Sequence, residues 1–348
     1  MNKKIGIFSY DFFPFYGGIG RYLSDLYKGL YYKKEFIVFS PCKNEYKNHV
    51  SLFTFTKKVG KQILFSLLLN FKINSLISKY NLKTIHLQCG PGGILLLFKP
   101  KVKLICTVHH TYYQQASMIP EQRWKYFFYF FEKIMYKNAN EIICNIEGTK
   151  NILISKYGIN KDLIKVIYIS INTNTFRKLN NIKKELNSLL FVGRLDARKG
   201  IMNLVSIIPE IVRDIPDLKI YIVGKGPLRQ KIDDFINQNN LIKNFIFMQD
   251  VTDKDLCDLY NKVQLTVVPS VFEGFGITPL ESIACGTGVL LHESDGLTGI
   301  YNACKSELVQ IYFDKKDFIN KLRITLINRN FKTTNKDIQK ILKPFFIS

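Results

Sequence analysis

The chain has 348 residues, 47% of them hydrophobic, enough for two domains of ordinary size with real cores. Its seven cysteines are scattered with no C-x-x-C pair, which argues against a zinc site or a disulfide framework and for a reduced compartment. The formal net charge of +22 invites nucleic acid, an anionic membrane or an anionic ligand as partner, while abundant Lys, Asn and Ile beside scarce Arg also fit an AT-rich coding bias. No apolar run reaches the roughly 20 residues that span a bilayer, and the apolar stretch after Lys4 meets Asp11 too early for a signal peptide.

Residues 4–9 read as a strand. A loop with Pro14, Gly17 and Gly18 follows, then a helix over 19–30 with Tyr22, Leu23, Leu26 and Leu30 on its apolar face. This βα unit is not G-x-G-x-x-G, because Leu23 stands where the third glycine would be, so a dinucleotide site is disfavoured. Further strands are expected over 35–40, 51–56, 84–88 and 103–108. Residues 57–80 mix lysines with Ile63, Leu64, Phe65, Leu67, Leu68 and Leu69; they read either as an interfacial helix or as a sheet-covering helix with a lysine-rich outer face. The strand at 103–108 ends in Val108-His109-His110-Thr111, and strand ends are where open α/β sheets place their chemistry. A helix is expected over 121–137, with Trp124, Tyr126, Phe127, Phe128, Tyr129, Phe130 and Phe131 on all sides, either buried all round or partly facing lipid. A strand over 141–146, a short helix over 149–156 and a strand over 164–169 come next. The polar stretch 172–187, rich in Asn and Lys, reads as an interdomain linker.

A second alternating series follows: strand 189–192, helix 201–213, strand 218–223, helix 228–239, strand 245–248, helix 253–262 and strand 265–268. Strands alternating with helices imply a parallel sheet. Asp253-Lys254-Asp255 has the Asp-x-Asp spacing of a metal motif, but Thr252 as helix cap with Asp255 three residues on explains it. The last strand runs into Pro269-Ser-Val-Phe-Glu-Gly-Phe-Gly-Ile-Thr-Pro-Leu-Glu-Ser-Ile-Ala-Cys-Gly-Thr-Gly288. Thr278, Pro279 and Glu281 read as cap, first-turn proline and capping-box partner of a helix that stops at Gly286. Strand, glycine loop and helix N-terminus make an anion site, because unpaired N–H groups and the helix dipole point the same way. Glu273 in the loop and Glu281 in the first helical turn flank it.

Glu273-x7-Glu281, within Glu-Gly-Phe-Gly-x4-Glu and framed by Pro269-Ser270 and Ala284-Cys285-Gly286-Thr287, resembles the signature of retaining GT-B glycosyltransferases, in particular glycosyltransferase family 4. The resemblance covers most of residues 4–290, in patches. It implies an α/β protein of the GT-B fold, with two Rossmann-like domains whose parallel sheets face a central cleft. These would be an acceptor-binding domain over 1–178, a nucleotide-sugar donor-binding domain over 179–330, and a tail or helix over 331–348 packing back on the N-terminal domain. The implied activity is a retaining, metal-independent hexosyl transfer, in cell-surface polysaccharide or glycolipid synthesis. No cofactor is implied beyond the substrate, a UDP- or GDP-linked sugar. Front-face attack assisted by the leaving phosphate would replace a glycosidase-like carboxylate pair.

The same resemblance assigns residues. Gly17 and Gly18 match the first glycine loop, which lets backbone approach the donor phosphates or the acceptor. His109 matches the histidine beside the reacting sugar, with His110 where the family often has Asp. Gly193-Arg194-x4-Lys199-Gly200 is similar to the donor loop in which Arg194 and Lys199 hold the diphosphate, and a planar fork plus a point charge suit that task. Gly224 and Val251 match strand-end loops that line the donor. Glu273, Gly274, Phe275 and Gly276 match the loop on the donor sugar, and Glu281 the group on the ribose. His109, Arg194, Lys199 and Glu273 form the implied catalytic set. The implied partners are the nucleotide-sugar donor, a sugar or lipid-linked acceptor and an anionic membrane, with the chain cytoplasmic and peripheral at the inner face. Tyr168-Ile169-Ser170 replaces the usual Pro-Asn-Gly, and residues 288–296 depart from the pattern. A catalytically degenerate GT-B protein that binds sugars or partners therefore remains an alternative. A basic nucleic-acid-binding protein is a further one, but no helix-turn-helix, zinc or RNP-like pattern supports it and no specific nucleic acid is expected.

Overall fold

The computed structural model describes residues 4–12, 18–30, 35–41, 47–53, 61–169, 171–328 and 333–345. The chain divides into two compact units, residues 1–168 and 169–348. The division falls between Tyr168 and Ile169, three residues before the stretch expected as linker.

Unit 1 runs β1 (Lys4–Phe8), α1 (Gly18–Leu30), β2 (Phe36–Ser40), β3 (His49–Ser51), α2 (Lys61–Tyr80), β4 (Leu82–Cys89), β5 (Lys103–Val108), α3 (Tyr112–Met118), a 3-10 helix (Pro120–Phe128), α4 (Tyr129–Asn138), β6 (Glu141–Cys144), α5 (Glu147–Ser155) and β7 (Ile164–Val166). Its seven strands form one parallel sheet in the order β3-β2-β1-β4-β5-β6-β7. The main core gathers Phe8, Phe39, Leu87, Val108, Tyr136 and Cys144 from sheet and helices. The single helix expected over 121–137 is two elements. Pro120 holds Ile119 extended (φ −119°, ψ 101°) and closes α3. The aromatic run, poor in strong α-formers, then winds as a 3-10 helix before α4 begins. Of the strand expected over 51–56, residues 54–56 lie outside the described residues, as do the first positions of the 57–80 helix; the strand itself is His49–Ser51.

Unit 2 runs β8 (Glu185–Val192), α6 (Ile201–Val205), α7 (Ile208–Asp214), β9 (Lys219–Val223), α8 (Arg229–Gln238), β10 (Phe245–Met248), α9 (Asp253–Lys262), β11 (Val263–Val268), α10 (Ile277–Ala284), β12 (Gly288–His292), α11 (Asp295–Cys304), β13 (Val309–Tyr312), α12 (Lys315–Asn328) and α13 (Asn335–Leu342). Six parallel strands are ordered β10-β9-β8-β11-β12-β13. All six residues of β11 are buried, as a strand covered on both faces requires. The helix expected over 201–213 is broken in two, because Pro209 lacks an N–H and suits only a first turn. The 288–296 stretch, where the family pattern fades, still supplies a central strand and the start of α11. The C-terminal segment, expected to pack back on the N-terminal domain, contributes α13 to unit 2, where it lies against α10 and α11.

Candidate active site

In unit 2 the strand order reverses between β8 and β11: β9 and β10 lie to one side, β12 and β13 to the other. Ligands of open α/β sheets bind outside the strand C-termini at such a switch point. The Gly193–Gly200 loop leaves β8 and the Pro269–Gly276 loop leaves β11, so the two strongest motifs meet there. Glycines lock them. Gly200 has φ +64°, and a Cβ on it would sit 1.9 Å from the Pro269 carbonyl oxygen. The Val271 N–H donates to the Arg198 carbonyl at 3.1 Å. A Cβ on Gly224, after β9, would lie 1.9 Å from the Gly193 carbonyl oxygen, and the Leu195 N–H donates to the Lys225 carbonyl at 3.0 Å. Only residues without a side chain allow this approach.

The result is an ion pair. Lys199 Nζ stands 2.5 Å from Glu273 Oε2, both largely shielded from solvent. Burial pushes the Glu273 carboxyl up, but the charges of Lys199 and Arg198 and hydrogen bonds from Lys199 and Ser270 outweigh it and hold it below the usual carboxylate range. Glu273 is therefore ionised at neutral pH. Asp196 caps the short turn carrying Lys199 by accepting from the Lys199 N–H at 3.0 Å. The Arg194 guanidinium is mostly exposed, 3.3 Å from Asp196. Gly276 has φ +90° and a Cβ there would crowd Leu297 and Glu273. Gly274 is half-buried in the same loop, and half-buried Val251 follows β10. The Phe275 ring is buried, 6.0 Å from Phe345, so it packs the C-terminal segment onto the loop.

Glu281 is placed differently from its sequence expectation. α10 starts at Ile277 with Gly276 as its cap residue and no side-chain cap, so Thr278 and Glu281 do not form a capping box. Glu281 lies one turn in, buried, and accepts from Tyr260 Oη at 2.8 Å. The capping box expected at Thr252 and Asp255 is present: the Asp255 N–H donates to Thr252 Oγ1 at 3.2 Å, and Asp255 accepts from the Thr252 N–H at 3.3 Å.

In unit 1, His109 follows β5 and is buried. It meets side chains from the ends of both neighbouring strands. Its Nε2–H donates to Gln88 Oε1 at 2.9 Å, and Asn145 Nδ2 donates to its Nδ1 at 3.1 Å. Tyr22 of α1 stands edge-on, ring centroids 5.3 Å apart. Burial, helped by His86, lowers its pKa to about 3, so the ring is neutral and both nitrogens are engaged. Gln88 Nε2 and Asn145 Oδ1 are buried without a partner among the described residues. One is a donor and one an acceptor, a pairing that a hydroxyl group satisfies. Sequence reasoning missed both residues; the only signal was their place at strand C-termini. Gly18 opens α1, and Gly17 lies outside the described residues. Among the described residues no cluster of His, Cys, Asp or Glu is set to hold a metal ion, and no helix is long and apolar enough to cross a membrane.

Two parallel α/β units, the second with glycine-backed loops at its switch point, define a two-domain, Rossmann-like α/β protein. The family models agree. Residues 16–175 match Glycosyltransferase Family 4 and residues 172–340 match Glycosyl transferases group 1. The chain belongs to the GT-B glycosyltransferases of this family. An uncharacterized glycosyltransferase of Methanocaldococcus jannaschii is 29% identical over 85% of this chain and 82% of its own length. Another from the same organism is 31% identical, but over 47% of this chain and only 42% of its own length. The O-antigen chain mannosyltransferase RfbU of Salmonella typhimurium is 27% identical over 58% of each chain. Among solved structures, sucrose-phosphate synthase from Thermosynechococcus elongatus superposes with a TM-score of 0.79 at 18% identity, covering 99% of this chain and 95% of that one. Anabaena HepE in complex with UDP-glucose gives 0.69 at 15% identity, covering 98% and 95%.

Proposed function

We propose that this protein transfers a sugar from a UDP- or GDP-linked donor to an acceptor hydroxyl with retention of anomeric configuration, in the synthesis of a cell-surface polysaccharide or glycolipid. Unit 2 binds the donor and unit 1 the acceptor. The observation that carries this reading is the Lys199–Glu273 pair at the switch point of unit 2, fixed by glycine-backed loops. The mannosyltransferase and the UDP-glucose complex among the relatives support the substrate class.

The chemistry follows from charge. As the glycosidic bond breaks, the leaving nucleoside diphosphate gains negative charge. Arg194 and Lys199 stabilise that state more than the ground state, so they raise turnover and not only affinity. They take the place a metal would fill. Glu273 orients the donor sugar, and Glu281, steadied by Tyr260, takes the ribose hydroxyls. Neutral His109, engaged at both nitrogens, holds Gln88 and Asn145 in place without carrying a charge, and their open Nε2 donor and Oδ1 acceptor take a hydroxyl near the reacting centre.

A panel of UDP- and GDP-sugars tests this by donor consumption with and without chelator, alongside thermal shift with UDP and GDP. One nucleoside diphosphate should raise the melting temperature, and its sugar should be consumed equally with chelator present. No shift and no consumption across the panel would overturn the reading in favour of a degenerate binding protein.

A further inference from the structure

Away from the donor loops, residues 118–131 form a distinct part of the surface of unit 1. The nine residues Pro120–Phe128 form a 3-10 helix, long for a winding that seldom exceeds three or four residues. With three residues per turn, side chains three apart stack on one face. Trp124 and Phe127 share that face, and Phe130, three further on in the first turn of α4, continues it. All three are exposed, at 62%, 69% and 63%, and Tyr126 is 42% exposed beside them. An ordinary α-helix would fan these three positions over about 120° of its circumference; the tighter winding brings Trp124 and Phe127 into line.

The rings are contiguous. Phe127 is 5.4 Å from both Phe128 and Phe131, Trp124 is 6.0 Å from Phe128, and Phe130 is 5.9 Å from Phe131. Half-buried Phe128 and Phe131 anchor the row to the core of unit 1. Charge around it is one-sided. Arg123, Lys125, Lys133 and Lys137 flank the row along the chain, with Lys125 Nζ 5.6 Å from the Trp124 ring and Lys133 Nζ 5.7 Å from the Tyr129 ring. The nearby carboxylates are Glu121, which is exposed, and Glu132, which is fully buried. Contiguous exposed aromatics mark an interaction site. Aromatic rings mixed with basic groups fit the headgroup layer of a membrane, where rings lie at the boundary and cations meet anionic lipid.

We propose that the Trp124–Phe127–Phe130 face docks unit 1 on a lipid bilayer surface carrying anionic headgroups. The occupant is the bilayer and not a second copy of the chain, because the basic side chains interleaved with the aromatics would repel their own image. Docking through this face is independent of the donor site and is read without substrate.

Trp124 is the chain's only tryptophan, so the full-length protein reports on its own docking. Vesicles of phosphatidylcholine with rising phosphatidylglycerol content should shift the emission to shorter wavelength and protect it from iodide, with co-flotation rising in parallel. Brominated lipids should quench the emission. Phe127→Ser with Phe130→Ser, checked for unchanged helicity and melting temperature, should lower partitioning about tenfold, since buried apolar area sets interfacial binding. Absence of flotation at low salt would overturn the proposal. So would flotation with unchanged Trp124 emission, which would put the contact elsewhere. A blue shift that follows protein concentration without vesicles would show self-association instead.

Discussion

Lys199 and Glu273 are each other's nearest charge, so a diphosphate must share Lys199 with a carboxylate already in place. Lys199→Ala or Arg194→Ala should lower turnover by about 10²- to 10³-fold, the range seen when a preorganised electrostatic contact is removed, and should weaken nucleoside diphosphate binding; steady-state kinetics and calorimetric titration read the two effects. Glu273→Gln frees Lys199 and removes a contact to the sugar. It should depress transfer strongly yet tighten binding of the plain nucleoside diphosphate, and weaker binding would reverse the assignment. Glu281→Ala strands the Tyr260 hydroxyl and should cost about 1–3 kcal/mol of stability, with loss of nucleotide binding as well if the ribose contact is real. Tyr260→Phe separates these, since it removes the support and leaves the carboxylate. The motif spacing made Lys199 and Glu273 readable each as a site residue, beside a glycine in a strand-end loop, but not as each other's partner, since the loops meet only through the order of β8 and β11. Gln88 and Asn145 were not readable: what brings them to His109 is that β4, β5 and β6 lie side by side, and strand order is set by packing and not by spacing along the chain.

Elements were legible where period and punctuation agreed. β10 and α9 fall on their expected bounds, and Thr252 with Asp255 caps α9 as the sequence says. The expectation failed at α10, where a real Thr-x-x-Glu spacing competes with Gly276, whose positive φ starts the helix earlier. The 3-10 stretch was also out of reach, since a dense aromatic run carries no single period. Two tests belong to this scale. Gly200→Ala forces a Cβ into the Pro269 carbonyl; it should destabilise by on the order of 3 kcal/mol and unlock both donor loops, lowering nucleotide affinity along with the melting temperature. Glu132 of α4 is buried, accepting from the Tyr112 N–H at 2.8 Å, Tyr136 Oη at 2.9 Å and Tyr157 Oη at 2.5 Å. Burial raises its pKa to about 8 against those hydrogen bonds. Its folded pKa exceeds its unfolded value, so the protonated form is favoured in the native state. Its contribution to stability is full below about 4.5 and declines until about pH 8. The groups facing it, Tyr112, Tyr136, Tyr157 and Cys89, are all held neutral through that window, their pKa values pushed up first by burial. Glu132→Gln should flatten the fall of melting temperature over this range.

At the scale of the molecule, each unit has its own sheet and its own core. Unfolding therefore need not be two-state, and calorimetry should show two transitions. A nucleoside diphosphate at about one hundred times its Kd should stabilise the unit 2 transition by about 2.7 kcal/mol and move the other less. The net charge of +22 predicts weak binding to any nucleic acid that disappears at modest salt with a steep logarithmic slope; sequence preference surviving high salt would contradict this.

The Lys199–Glu273 contact also bears on how a turnover ends. On the proposed reading, while donor is bound, the sugar engages the carboxylate and the diphosphate engages the ammonium. Once the sugar has left with the acceptor, Glu273 turns back to Lys199, the cation in direct contact with it, and competes with the spent diphosphate for that ammonium. The side chain that orients the substrate thus also hastens departure of the by-product. Trapping of bound nucleoside diphosphate by stopped flow should show slower release in Glu273→Gln than in the wild type, and the difference should shrink as salt screens the charges.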